Sequence, residues 1–334
     1  MSEQMNQLAA SVIAGSLEGK ELTSDELKFL ESMPHAGLTI FGRNIDQDHH
    51  EALSTLCQKI QKGSSLRRLI MIDQEGGRVA RLKANFPNPG ASLDLEEGSD
   101  SSESLSRIRA YGQTVGQALR ELGINVNFAP VADILTEPTN TAIGNRVWGV
   151  EALPTLNRSR AWLEGLQSTG ILGCIKHFPG QGDAKLDTHL SEAVIDLPAS
   201  VLESRELVPF RGLMGISPMV MISHCIYPAY DTKPASLSKV IMSNLLRRQM
   251  GFEGVIVSDD MTMGAIPADE KSWGEAIVTA IAHGADLILV CQKLELWRLA
   301  IQFVSEEAKK SKAFAEILAS ASQRVSKMRE QLVC

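Results

Sequence analysis

Eight short apolar runs recur along the chain: LAASVIA (8–14), AGLTIFG (36–42), RRLIMID (67–73), INVNFAP (124–130), GILGCIKH (170–177), PMVMISH (218–224), EGVIVSD (253–259) and ADLILVC (285–291). They are short and mostly rich in Val, Ile or Leu, the signature of strands covered on both faces. Between them lie helix-like stretches such as DHHEALSTLCQKIQ (48–61), SLSRIRAYGQTVGQALRELG (104–123), TLNRSRAWLEGLQSTG (155–170), SLSKVIMSNLLRRQMG (236–251) and SWGEAIVTAIAHG (272–284). Several of these end in glycine, a common helix stop. The alternation predicts an α/β fold: one (β/α)8 TIM-type barrel domain over residues 1–334, with an extra C-terminal helix at 312–332 packed outside it. A doubly wound open sheet is the alternative, but no GxGxxG follows any of the runs. The polar, turn-rich segment NFPNPGASLDLEEGSDSSES (85–104) predicts a long loop between the third strand and its helix.

Composition narrows the class. The chain is 44% hydrophobic and 22% charged with a net charge of −7, and no basic block stands out, which argues against nucleic acid as a partner. The N-terminal stretch MSEQMNQLAASVIAGSLEGKEL lacks the basic and unbroken apolar regions of a signal peptide. No apolar run reaches the roughly 18 residues that a membrane span requires. Five widely spaced cysteines without a CxxC suit reduced thiols better than a disulfide framework or a zinc site. These features predict a soluble cytoplasmic protein; a monomer is expected because no separate apolar module is left over.

Candidate chemistry gathers at one end of the predicted strands. Asp73 to Arg78 follow the third, Lys176 and His177 close the fifth, His224 ends the sixth, and Asp259 and Asp260 end the seventh. Barrel active sites form at the C-terminal ends of the strands, so these groups converge there. Each has a plainer reading. One of Asp259 and Asp260 can cap a following turn, leaving the other available. Asp73 and Arg78 can be an ion pair under a loop, and His224 alone reads as a satisfied core histidine. The stretch KHFPGQGDAKLDTH (176–189) is harder to explain as a solvated loop. Its Asp187 and His189 lie two residues apart, close enough for a carboxylate to orient an imidazole and stabilise its protonated form. Metal ligation by His177, Asp187 and His189 is an alternative that no HxH or HExxH pattern supports.

Together DQEGGRVARL (73–82), IGNRVWG (143–149), KHFPGQGDAKLDTH (176–189) and GFEGVIVSDDMTMGAI (251–266), with FAPVADI (128–134) and ISHCIYPAYD (222–231), resemble glycoside hydrolase family 3. The resemblance runs from about residue 8 to 295 and is strongest to bacterial cytoplasmic β-N-acetylglucosaminidases of peptidoglycan recycling. It implies that Asp259 is the nucleophile of a retaining mechanism and His189 the general acid/base, with Asp187 as its partner. It implies that Asp73, Arg81, Arg146, Lys176 and His177 bind a terminal N-acetylglucosamine (GlcNAc), with Arg78 in support. The implied substrate is a GlcNAc–anhydroMurNAc-peptide, with neither metal nor organic cofactor. Gln181 departs from the common KHFPGHG pattern, outside the acid/base position. A phosphorylase on the same scaffold and a non-catalytic sugar-binding barrel are the alternatives.

Overall fold

The computed structural model describes residues 2–83, 85–95, 100–185 and 193–332. Its centre is a closed, parallel, eight-stranded barrel. The strands are β1 (Ile13–Ser16), β2 (Gly37–Ile40), β3 (Leu69–Ile72), β4 (Val126–Asn127), β5 (Leu172–Phe178), β6 (Met219–Ile222), β7 (Val255–Asp260) and β8 (Leu287–Leu289). Each pairs with its sequence neighbours, and β1 closes the ring on β8 through Ile13↔Ile288 and Ala14↔Leu289. All eight apolar runs therefore supply a barrel strand. The first is displaced: residues 2–10 are helical, and the strand starts only at Ile13.

Period-two alternation sorts the strand side chains into two cores. Leu69, Met71, Val126, Cys174, Met219, Met221, Val255, Val257 and Leu287 share the barrel interior. Ile70, Ile72, Ile175, Val220, Ile222, Ile256 and Ile288 join the larger cluster formed with the surrounding helices. Those helices are α1 (Ser2–Ala10), α2 (Ser24–Ser32), α3 (Glu51–Gln61), α4 (Ser102–Glu121) and α5 (Ala152–Gln167) in the first half. In the second half come α6 (the contiguous pieces Ala199–Val201, Leu202–Glu206 and Leu207–Leu213), α7 (Val240–Gln249), α8 (Glu270–Ala282), α9 (Leu294–Lys310) and α10 (Lys312–Arg329). The middle piece of α6 and all of α7 have π geometry.

The last helix does more than lie against the outside. Val325 and Met328 of α10, with Leu332 beyond it, belong to the same cluster as the barrel interior. Burying each such side chain contributes roughly 1.5–3 kcal/mol. Arg329 donates to the carbonyls of Arg67 and Leu66, just before β3, and Arg324 Nε donates to buried Asp286 at 2.7 Å, just before β8. Arg247 of α7 meets the same carboxylate at 2.5 Å. Thus α10 floors the barrel at the N-terminal ends of its strands. The opposite end stays free for loops.

Between β3 and the segment predicted as a long loop (85–104) lies a small hairpin, Gln74–Gly76 with Val79–Ala80; the predicted loop itself holds a 3-10 turn, Ser92–Asp94, and its last residues, from Ser102, already belong to α4. Gly76 and Gly77 turn the hairpin with φ of 112° and 56°, values that glycine adopts without steric cost. Gln74 clamps the far strand: its amide donates to Leu82 O and its carbonyl oxygen accepts from Leu82 N.

Candidate active site

The hairpin delivers Asp73 and Glu75 to the C-terminal mouth of the barrel, where Lys176 joins them from the end of β5. The Lys176 ammonium lies 2.8 Å from Asp73 Oδ1 and 2.6 Å from Glu75 Oε1. Arg81 reaches Asp73 Oδ2 at 3.0 Å. Arg146 grips Glu75 with Nε and a terminal nitrogen, both at 2.8 Å, in the fork geometry that makes Arg–carboxylate pairs strong. Arg78 does not pair with Asp73. It donates to the carbonyls of Thr141, Ala142 and Ile143, tying the hairpin to the loop that carries Arg146.

Pairing sets the charge states. Burial disfavours the charged form of Asp73, but the charges of Lys176 and Arg81 outweigh it and hold this carboxyl well below its ordinary range. Glu75, also pushed up by burial, is brought down to about 2 by Arg146 and Lys176. Burial pushes the Lys176 ammonium down, yet the two carboxylates raise it above its ordinary value. The result is a fixed lattice of charged donors and acceptors, suited to the hydroxyl and amide groups of a sugar.

His177 is set by a different carboxylate. Its Nδ1 is 2.7 Å from Asp133 Oδ2, and its backbone N–H and that of Gln181 both donate to Asp133 Oδ1. A carboxylate accepts and does not donate, so Nδ1 carries the proton and Nε2 is left for other contacts. Asp133 thereby fixes both the ring and the start of the Gly180 turn. On that turn's other side sits buried Glu206: Oε1 accepts from Arg205 Nε at 2.6 Å, while Oε2 meets no donor among the described residues and faces Gly180. Burial pushes the Glu206 carboxyl up to about 7, against the lowering charge of Arg205.

Asp259 and Asp260 divide their work. Asp260 caps the turn beyond β7, accepting from Thr262 N at 3.0 Å, Thr262 Oγ1 at 2.8 Å and Cys291 N at 3.1 Å. Asp259 is thereby left available, and its Oδ1 accepts from the Asp260 N–H at 2.8 Å. Burial pushes the Asp259 carboxyl up, but the charges of His224 and His177, that N–H and Lys176 outweigh it and keep it below the ordinary value. A carboxylate kept ionised at this place is what a nucleophile forming a covalent glycosyl intermediate requires. His224 is the satisfied, buried histidine its position suggests: Nε2 meets Asp260 O at 3.0 Å and Nδ1 meets Ser236 Oγ at 2.6 Å.

The structure thus brings together Asp73, Arg81, Arg146, Lys176, His177 and Asp259. Asp187 and His189 lie outside the described residues. Among the described residues no group of His, Cys, Asp and Glu has the arrangement of a metal site. Sequence reasoning did not single out Glu75 or Asp133. Both stood in quoted stretches, Glu75 in DQEGGRVARL and Asp133 in FAPVADI, just beyond the ends of the third and fourth apolar runs.

The sequence pattern of the glycosyl hydrolase family 3 N-terminal domain matches residues 1–328. A beta-hexosaminidase of Xanthomonas axonopodis pv. citri is 34% identical over 279 residues, covering 82% of this chain and 81% of that one. A family 3 beta-N-acetylglucosaminidase structure from Paenibacillus superposes with a TM-score of 0.89 at 30% identity. That match covers 98% of this chain and 62% of the Paenibacillus chain, so this chain spans less than two thirds of that protein. NagZ from Neisseria gonorrhoeae gives a TM-score of 0.80 at 27% identity, over 94% of this chain and 97% of its own. With the barrel, the charged mouth and these relatives in agreement, the chain belongs to glycoside hydrolase family 3, as a glycoside hydrolase of the β-N-acetylhexosaminidase kind.

Proposed function

We propose that the protein is an exo-β-N-acetylglucosaminidase that removes terminal, non-reducing GlcNAc from peptidoglycan-derived muropeptides such as GlcNAc–anhydroMurNAc-peptides. The observation that carries the reading is Asp259: a half-buried carboxylate, held ionised at the barrel mouth beside the Asp73–Lys176–Glu75 lattice. In this reading Asp73, Arg81, Arg146, Lys176 and His177 hold the sugar. The activities of the relatives, a beta-hexosaminidase in Xanthomonas and a beta-N-acetylglucosaminidase in Paenibacillus, support a GlcNAc ring over a plain glucose ring. A cytoplasmic, monomeric enzyme is part of the same proposal.

The chemistry is a double displacement. An Asp259 oxygen attacks the anomeric carbon as the glycosidic C–O bond breaks, and His189, oriented by Asp187, gives its proton to the leaving oxygen. Water then gives a proton back to His189 and attacks the same carbon, breaking the glycosyl–Asp259 ester. A positioned acid/base of this kind contributes about 10²–10⁴-fold.

The test is release of nitrophenol from p-nitrophenyl β-N-acetylglucosaminide and from the matching glucoside, by wild type and His189→Ala. Turnover of the GlcNAc substrate alone, lost in the variant, is the expected result. Equal turnover of the glucoside would overturn the sugar assignment. GlcNAc-1-phosphate formed in phosphate buffer would make the enzyme a phosphorylase, and binding without turnover a lectin-like barrel.

A further inference from the structure

We propose that His224 is a positioning residue for the nucleophile: its Nε2–H holds the main chain of Asp260, and through it the carboxylate of Asp259. The inference rests on Asp259 acting as nucleophile, as read above.

A carbonyl oxygen only accepts, so the 3.0 Å contact between His224 Nε2 and Asp260 O puts a proton on Nε2. On the other side of the ring, Nδ1 meets Ser236 Oγ at 2.6 Å, and Ser236 is fully buried. Ser236 is itself anchored, its N–H donating to Ser223 O at 3.1 Å. Both ring nitrogens are engaged in a site where an unmade hydrogen bond is costly, so the ring has one orientation. His224 follows β6, which pairs directly with β7 through Ile222↔Ser258.

Asp260 is thus held on both of its oxygen-bearing groups. Its carbonyl accepts from His224 Nε2 on the β6 side and from Met263 N at 3.1 Å in the following turn, and its carboxylate accepts from Thr262 and, beyond β8, from Cys291 N. Its remaining polar group, the N–H, is the one that fixes Asp259 Oδ1 at 2.8 Å. That bond leaves Oδ2 for attack on the anomeric carbon. Asp260 works as a bracket between neighbouring strands, and His224 is the side-chain donor to its carbonyl, which a single substitution can remove without adding or deleting a charge on Asp260.

The test uses two amides that divide the imidazole between them. In His224→Gln the amide nitrogen can stand in for Nε2 and keep the donor to Asp260 O. In His224→Asn it can stand in only for Nδ1. Both are assayed on 2,4-dinitrophenyl β-N-acetylglucosaminide, whose leaving group needs no protonation, so kcat/KM reports the nucleophilic step. Loss of about 100-fold in kcat/KM is expected for His224→Asn, with KM little changed, because misplacing a reacting group by about 1 Å has that effect. His224→Gln should recover most of the loss, and Ser236→Ala should fall between the two. Equal losses in the two amide variants, or a loss carried by KM, would overturn the proposal. Crystal structures of both variants decide it without substrate. The Asp260 N to Asp259 Oδ1 contact should stay near 2.8 Å in His224→Gln and lengthen in His224→Asn. An unchanged contact in both sinks the proposal whatever sugar is cleaved, whereas a wild type inert on GlcNAc glycosides counts against the substrate reading alone.

Discussion

Glu206→Gln isolates the cost of burying one acid under the Gly180 turn. The wild-type carboxyl is buried, and burial pushes it from an ordinary 4.5 up to about 7. A carboxyl raised on folding contributes fully below the unfolded value, and that contribution is lost as pH rises towards the folded value. Below about pH 4.5 both states are protonated; between 4.5 and 7 the unfolded chain loses its proton first, so stability falls; above 7 the full penalty is reached. At about 1.36 kcal/mol per unit the whole penalty is roughly 3 kcal/mol, of which about 2.5 develops between pH 5 and pH 8. The amide keeps the oxygen that accepts from Arg205 and cannot ionise. Urea unfolding of both proteins at pH 5 and pH 8 gives four free energies, and every other titrating group cancels in the difference of differences. The wild type should lose about 2.5 kcal/mol more than the variant over that interval. Parallel behaviour, within about 0.5 kcal/mol, would refute the raised carboxyl.

Other substitutions test the mouth itself. Lys176→Met leaves Asp73 and Glu75 to Arg81 and Arg146 alone, and breaking a buried pair in this way should destabilise by about 3–5 kcal/mol; a change under about 1 kcal/mol in urea unfolding would show the lysine to be dispensable for the lattice. Asp133→Asn replaces the charged acceptor of His177 Nδ1–H, so kcat/KM should fall by the 10- to 100-fold that corresponds to about 1.5–3 kcal/mol for a charged hydrogen bond. Undiminished kcat/KM would mean that Asp133 does not set the ring. Asp259→Ala should be inert, and added azide should restore cleavage and yield the α-configured glycosyl azide; full activity without azide, or the β product with it, would remove Asp259 from the nucleophile's place.

The barrel was legible because burial on both faces forces each strand to be a continuous apolar run, and such runs survive without knowledge of their neighbours. The exception is informative. In LAASVIA the residues Leu8, Ala9 and Ala10 serve α1, and a short turn then precedes β1, so one apolar stretch supplies two elements. The candidate residues on strand ends, Asp73, Lys176 and Asp259, were legible for the same reason: each breaks off an apolar run. Their partners were not. Glu75 meets Arg146 and Lys176 across 71 and 101 positions, and His177 meets Asp133 across 44, distances over which spacing carries no information. Arg78 stood beside Asp73 in sequence, yet its reach took it to the carbonyls of residues 141–143 while Arg81, a few positions further on, turned back to the acid.

The floor built by α10 has a consequence for how the enzyme can change. Asp286, Arg247, Arg324 and Arg329 secure one end of the strands while the sugar-facing charges occupy the other, with no residue shared between the two sets. Perturbations at sites without shared partners add nearly independently. Better packing in the floor would therefore build a stability reserve that rim loops could draw on when they acquire destabilising substitutions for new aglycones. For this fold, tolerance to innovation at the mouth is set largely by what lies beneath the barrel.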